Sequence, residues 1–233
     1  MSAYKKDVLK FIKEDEVVKF HQKLVQIKSL TDHEEEIAFF LGEEMKKLGF
    51  KVTYQKISSN SYNVVGTLEG SGGGKTLLYH GHLDTVPPMD LPNPFSGEII
   101  DGKVYGVDEK VIWGRGSADQ KGGIAAAIMA IKAVVNSGFE PRGNIIFAGT
   151  ADEEAEHKGI NKLIQSKIVK ADMGIATEPT LLRIGIGNRA TIPLKIVTFG
   201  KSAHGGYPSR GVNAIYHMAE IIRELQSLKM KEF

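Results

Sequence analysis

Tyr79-His80-Gly81-His82-Leu83-Asp84-Thr85-Val86-Pro87 begins where the strand-like run 76–79 gives out. Two imidazoles and a carboxylate therefore meet the end of an apolar segment. Three later stretches repeat the theme: Gly114-Arg115-Gly116-Ser117-Ala118-Asp119, Thr150-Ala151-Asp152-Glu153-Glu154 and Thr177-Glu178-Pro179. Glu153 and Glu154 follow the apolar run 145–149, Glu178 follows 173–176, and Asp119 opens a helical pattern. Such groups are costly to bury unless they pair or hold a cation. In open α/β sheets, sites collect beyond the carboxyl ends of strands. The recurrence predicts a metal site able to hold two ions.

Working outward, 52–57 and 63–68 also read as strands, with a glycine-rich loop at 70–74. Gly74-Lys75-Thr76 imitates a phosphate loop, but Glu69 stands where that pattern needs glycine, and a strand follows it. Val17, Phe20, Leu24 and Ile27 repeat at helical spacing. Thr31 and Glu34 read as a capping box for a second helix. Its inner face is Ile37, Phe40, Leu41, Met45 and Leu48, and Gly49 ends it. Segment 98–107 reads as a hairpin around Asp101-Gly102. Ile124, Ala127, Ile128, Ile131 and Val135 mark a buried helix closed by Gly138. The runs 145–149 and 173–176 suit central strands covered on both faces. Strands alternating with helices predict an α/β fold, a mostly parallel sheet flanked by helices. After Glu178 the character changes: 181–186 and 191–199 read as strands and 211–228 as an amphipathic helix. Ala214, Ile215, Met218, Ile221, Ile222 and Leu225 would face inward. The expected division is 1–186 and 187–233.

Thirty basic against 28 acidic side chains leave a net charge of +2, which gives no reason to expect nucleic acid or an anionic membrane as partner. The absence of cysteine excludes disulfides, thiolate-bound zinc and a cysteine nucleophile, so a metal must bind through nitrogen and oxygen. No apolar stretch approaches the ~20 residues that span a bilayer. Segment 1–7 lacks the apolar core of a signal peptide, so a soluble, cytoplasmic protein is expected.

In extended backbone His82 and Asp84 point to one side, which lets Asp84 accept the second ring N–H and hold His82 as a neutral ligand. Glu153 and Glu154 are adjacent and point in different directions. One can bind metal while the other takes a proton from water. A carboxylate shared by two cations, here Asp119, keeps both ions close, and paired ions can polarise a carbonyl.

In this order the motifs resemble the co-catalytic zinc amidohydrolase and peptidase family, which includes acetylornithine deacetylase, succinyl-diaminopimelate desuccinylase, aminoacylase and carboxypeptidase G. The likeness runs from about Val17 to the end. It implies a zinc-peptidase-like catalytic domain holding one or two zinc ions, with cobalt or manganese acceptable to the same ligands. His82, Asp119 and Glu178 would hold one ion. Asp119 would bridge to a second that also takes Glu154. Glu153 would be the general base and Asp84 would orient His82. A cis peptide at Asp119-Gln120 is also implied. Gly200-Lys201-Ser202-Ala203-His204-Gly205-Gly206, Pro208 and Gly211-Val212-Asn213-Ala214 resemble the start of an inserted α+β lid or dimerisation domain. That implies a homodimer in which His204 stabilises an oxyanion, usually from the partner subunit. Glutamate at 178 implies N-acyl amino acid substrates, as in deacetylases and desuccinylases of amino-acid biosynthesis. The alternative within the family is a metallo-carboxypeptidase or dipeptidase acting on peptides.

Two features depart from the family. Gln120 stands where it carries an apolar residue, and the returning segment with the last metal-binding histidine is not in the sequence. The catalytic domain is therefore expected to be incomplete. The rival expectation is a shortened, non-catalytic chain binding at most one metal. Among the remaining residues, His80 reads as packed beside the site and His157 as a minor candidate ligand. His21, His33 and His217 read as surface or packing groups, Arg189 as a salt-bridge partner, and Trp113 as packing beside the Gly114 turn.

Overall fold

The computed structural model describes residues 7–187 and 194–228. Contacts divide the chain into two units, Met1–Ile184 and Gly185–Phe233. In the first, α1 (Glu14–Gln26) and α2 (Glu35–Lys47) precede strands β1 (Lys51–Lys56), β2 (Tyr62–Leu68) and β3 (Leu77–His82). A small hairpin follows, β4 (Ile99–Asp101) and β5 (Lys110–Ile112). Then come α3 (Gly123–Asn136), β6 (Ile145–Thr150), α4 (Lys158–Ser166) and β7 (Met173–Ala176). The second unit holds α5 (Ala214–Ser227).

The sheet runs β1-β2-β6-β3-β7. Strands β6, β3 and β7 are parallel, and β2 is antiparallel to both its neighbours. Alternate strand residues face opposite sides. Val64 and Phe147 join the core made with Leu24, Ile37, Leu41, Met45 and Ile128, which places α1, α2 and α3 on one face. Val65, Ile146 and Ala148 pack with Leu163 of α4 on the other. Each fully buried Leu, Ile or Met contributes roughly 1.5–3 kcal/mol. Helix α2 has Glu35 and Glu36 in its first turn and Lys46 and Lys47 in its last, matching its dipole. Gly49 at φ 88° then turns the chain towards β1.

Several expectations are corrected. Thr31 and Glu34 do not cap their own helix: α2 starts after Glu34, and neither side chain bonds a first-turn N–H. Both are drawn elsewhere. The hairpin is wider than expected, since Asp101 pairs with Lys110 and a short 3-10 helix, Gly102–Tyr105, fills the gap. Strand β7 is an edge strand and all four of its residues are exposed. An apolar run marks a strand but cannot tell a central position from an edge. Segments 181–186 and 194–199 are not strands, because no ladder among the described residues satisfies their backbone; 191–193 lies outside those residues. None of the residues of α5 is buried, including its expected inward face. Among the described residues of this unit no second α-helix or strand lies over it.

Candidate metal centre

His82 ends β3, and the register sets it beside Thr150, the last residue of β6. From there the chain passes directly into Asp152-Glu153-Glu154. Beyond β7, the Thr177 N–H donates to the His80 carbonyl at 3.0 Å, one residue before Glu178. Asp119 lies in the turn Ser117–Gly122 that leads into α3. The peptide bond Asp119-Gln120 is cis, as the resemblance implied. Four distant segments thus meet beyond the carboxyl ends of three parallel strands.

One ligand atom each from His82, Asp119 and Glu154 lie within 4.8 Å of one another. His82 Nε2 and Asp119 Oδ1 are 2.9 Å apart. His82 is buried while the two acids are exposed, so the group is closed behind and open in front. Glu178 is not part of this close trio, but it shares its field. Burial raises its carboxyl above the ordinary value, and Asp119, Glu153 and Glu154 add to this against the opposing pull of His82. Glu154 is raised the same way, by burial and then by Asp119, Glu153 and Asp84, with His82 opposing. His157 is exposed, precedes α4 at φ 58° and is not in the trio.

A divalent cation fits this donor set of one imidazole nitrogen and several carboxylate oxygens. The electrostatics ask for positive charge at the same point. Burial works against protonating His82, yet the Asp84 and Asp119 carboxylates outweigh it and push the ring up to about 10. A cation between these ligands would supply the charge that the proton otherwise supplies.

Asp84 stands behind His82 and reaches further along the site. His82 Nδ1 meets the Asp84 main-chain carbonyl at 2.9 Å, and the carboxylate stands off at 3.5 Å. That carboxylate instead accepts the Glu153 N–H at 3.0 Å, the Glu154 N–H at 3.1 Å and the Thr31 hydroxyl at 2.9 Å. Burial opposes its charge, but His82 and these donors overcome it and hold the carboxyl below its ordinary value. Thr31 reaches it because 29–31 runs along 84–85, with Thr85 N–H on the Ser29 carbonyl at 2.8 Å.

Other anchors were not legible as such. Glu34 is fully buried, and its Oε1 accepts from the N–H of Asp32 and of Asp152. Asn63, also fully buried, donates to Gly159 O at 2.8 Å and accepts the Ala151 N–H at 3.0 Å. Gln120 Oε1 accepts the His82 N–H at 2.6 Å, and Lys121 Nζ donates to Ile27 O at 2.7 Å. The polar residues flanking apolar runs are the only signal the sequence offers for them. His80 packs as expected, its Nε2 on the Thr150 hydroxyl at 2.9 Å. His21 is a packing group with a task, its Nε2 on Ser117 O at 2.8 Å. Trp113 donates to Pro92 O and stacks on Tyr105. His204 lies in the second unit, where its Nδ1 accepts the Gly206 N–H at 3.1 Å. Arg189 lies outside the described residues.

The fold is shared with solved peptidases. A tripeptidase from Staphylococcus aureus shares it at a TM-score of 0.66 and 24% identity, over 91% of this chain and 57% of that one. Human carnosine dipeptidase 1 shares it at a TM-score of 0.63 and 19% identity, over 84% of this chain and 44% of that one. The chain belongs to peptidase family M20/M25/M40, whose model matches residues 78–229. The succinyl-diaminopimelate desuccinylase of Wigglesworthia glossinidia brevipalpis is 32% identical over 90% of this chain and 56% of that protein. That of Wolbachia pipientis is 33% identical over 90% of this chain and 53% of its own length. The family resemblance read from the motifs is borne out. The chain spans about half the length of the curated relatives it matches.

Proposed function

We propose that this chain is the metal-binding part of a divalent-metal-dependent amide hydrolase acting on N-acyl amino acids, of the deacetylase or desuccinylase type. The observation that carries this reading is the approach of His82, Asp119 and Glu154 to within 4.8 Å, with the neighbouring Glu153 on backbone held by Asp84. The family and its desuccinylase members support the reaction class. Glutamate at 178 supports N-acyl substrates over peptides.

In the proposed centre His82, Asp119 and Glu178 would hold one zinc ion, Asp119 and Glu154 would serve a second where one binds, and cobalt or manganese would suit the same donors. A divalent cation bound there would polarise the amide carbonyl and make water acidic near neutral pH. Glu153 takes a proton from the attacking water as the water oxygen bonds to the carbonyl carbon. It then delivers that proton to the nitrogen of the leaving amine as the C–N bond breaks. Asp84 touches no substrate; it keeps the Glu153 and Glu154 backbone in place. His204, contributed from the partner subunit of a homodimer, donates an N–H to the oxyanion.

Glu153→Gln preserves the shape of the side chain but cannot carry the proton. Hydrolysis of N-acetyl and N-succinyl amino acids should fall ~10²–10⁴-fold, with metal affinity unchanged on calorimetric titration. Undiminished hydrolysis refutes the role. A second reading is favoured by there being one close trio among the described residues: one ion per chain, without turnover. Stoichiometry measured together with hydrolysis separates the two.

A further inference from the structure

We propose that Glu34 is a positioning residue for the acidic loop: its buried carboxylate, together with that of Asp84, clamps the consecutive N–H groups of Asp152, Glu153 and Glu154 and so aims Glu153 and Glu154 at the centre. The inference rests on the roles just given to those two glutamates.

Glu34 Oε1 lies 3.0 Å from the Asp32 nitrogen and 3.1 Å from the Asp152 nitrogen, 118 residues away in sequence. Asp84 takes the next two N–H groups, one on each carboxylate oxygen. Between Thr150, the end of β6, and Lys158, the start of α4, the chain has no ladder to satisfy its backbone. It also passes through Asp152 at φ 61°, a left-handed conformation that a non-glycine residue holds only when its surroundings impose it. Asp152 answers with its own Oδ2 on the Lys158 N–H at 2.9 Å. The outer carboxylates complete the constraint.

A glutamate serving only its own helix would bond first-turn N–H groups. Glu34 bonds none of them, although it occupies the N-cap of α2. Its second oxygen, Oε2, is buried and makes no well-formed hydrogen bond among the described residues, with the Ser61 hydroxyl as its polar neighbour. A fully buried carboxylate is expensive to keep, and burial is the largest influence on this one. The bond to Asp152 accounts for its presence where an apolar residue would pack more cheaply. If the acceptor is lost, the Asp152 N–H must turn towards water, and the two residues after it turn with it.

The test compares Glu34→Gln, Glu34→Met and Glu34→Asp with the parent chain. Glutamine keeps an acceptor at the same reach, methionine removes it, and aspartate keeps the charge one methylene too short. Co²⁺ affinity is measured by calorimetry, and amide exchange of 150–156 by mass spectrometry. Glutamine should leave both close to the parent. Methionine and aspartate should weaken Co²⁺ binding ~10–100-fold, the scale on which groups supporting metal ligands act. Exchange at 152–154 should speed up while the body of α2 stays protected. If methionine does not fold, aspartate against glutamine still gives the comparison. Unchanged Co²⁺ affinity in a folded acceptor-less variant would overturn the proposal, as would glutamine behaving like methionine. Should the parent bind no Co²⁺, the functional reading fails separately. Exchange at 152–154 then still decides the clamp, which falls if aspartate leaves it unchanged.

Discussion

Lys121 shows how much of this site is held from behind. Its side chain is almost wholly buried, and Nζ donates to the Ile27 carbonyl at 2.7 Å, tying the residue two after Asp119 to the end of α1. Burial pulls the ammonium down to about 8, with Glu36 pulling weakly the other way. In the unfolded chain a lysine titrates near 10.4. Between those values the unfolded state binds more protons, so folding stability rises with pH; below about 8 the full cost of the buried charge stands. Urea unfolding should show the parent gaining stability from pH 8 to about 10.4 relative to Lys121→Met, and parallel pH profiles would contradict the burial. Asn63→Ala strips partners from Gly159 O and the Ala151 N–H in the interior and should cost about 1–3 kcal/mol in the same assay. Neither residue could be assigned its task from sequence. A buried lysine and a surface lysine are the same letter, and Thr31 and Glu34 fit a local capping pattern that a distant loop overrides.

At the level of elements, periodicity was a good guide wherever an apolar face meets a core. Ile37, Leu41 and Met45 of α2, and Ile124, Ile128 and Ile131 of α3, are buried as their spacing requires. The same reasoning failed for β7, whose residues are exposed, and went only half way for α5, where Ala214, Met218 and Ile221 are half-buried and no residue is buried. Periodicity reports which face is apolar, not whether anything covers it. The start of α3 lies close against Thr177, the residue that follows β7. A Cβ on Gly123 would collide with the Thr177 carbonyl. Gly123→Ala should therefore lift the first turn of α3, lowering stability by about 1–3 kcal/mol in thermal unfolding. It should also weaken metal binding, because that turn follows Asp119. A variant as stable as the parent would show that the junction has slack.

For the whole molecule, four acidic or imidazole motifs in a fixed order marked the site, because three follow parallel strands of one sheet and the fourth, with Asp119, opens the helix beside them. What could not be read was which side chains stand closest: Glu154 makes the close trio with His82 and Asp119, and Glu178 stands outside it. That depends on side-chain reach across segments no spacing rule connects. The exposed edge at β7, with Met173 and Ile175 half exposed, and the bare residues Leu182 and Ile186 leave apolar surface open to water. Light scattering should find concentration-dependent self-association, and a strictly monomeric chain at high concentration would count against it. The proposed centre itself is tested most directly by calorimetric titration of the metal-stripped chain with Zn²⁺ or Co²⁺, beside His82→Ala and Asp119→Ala. The account predicts one firmly held ion per chain in the parent and none in either variant. A parent that takes up no ion, or variants that bind as tightly as the parent, would contradict it.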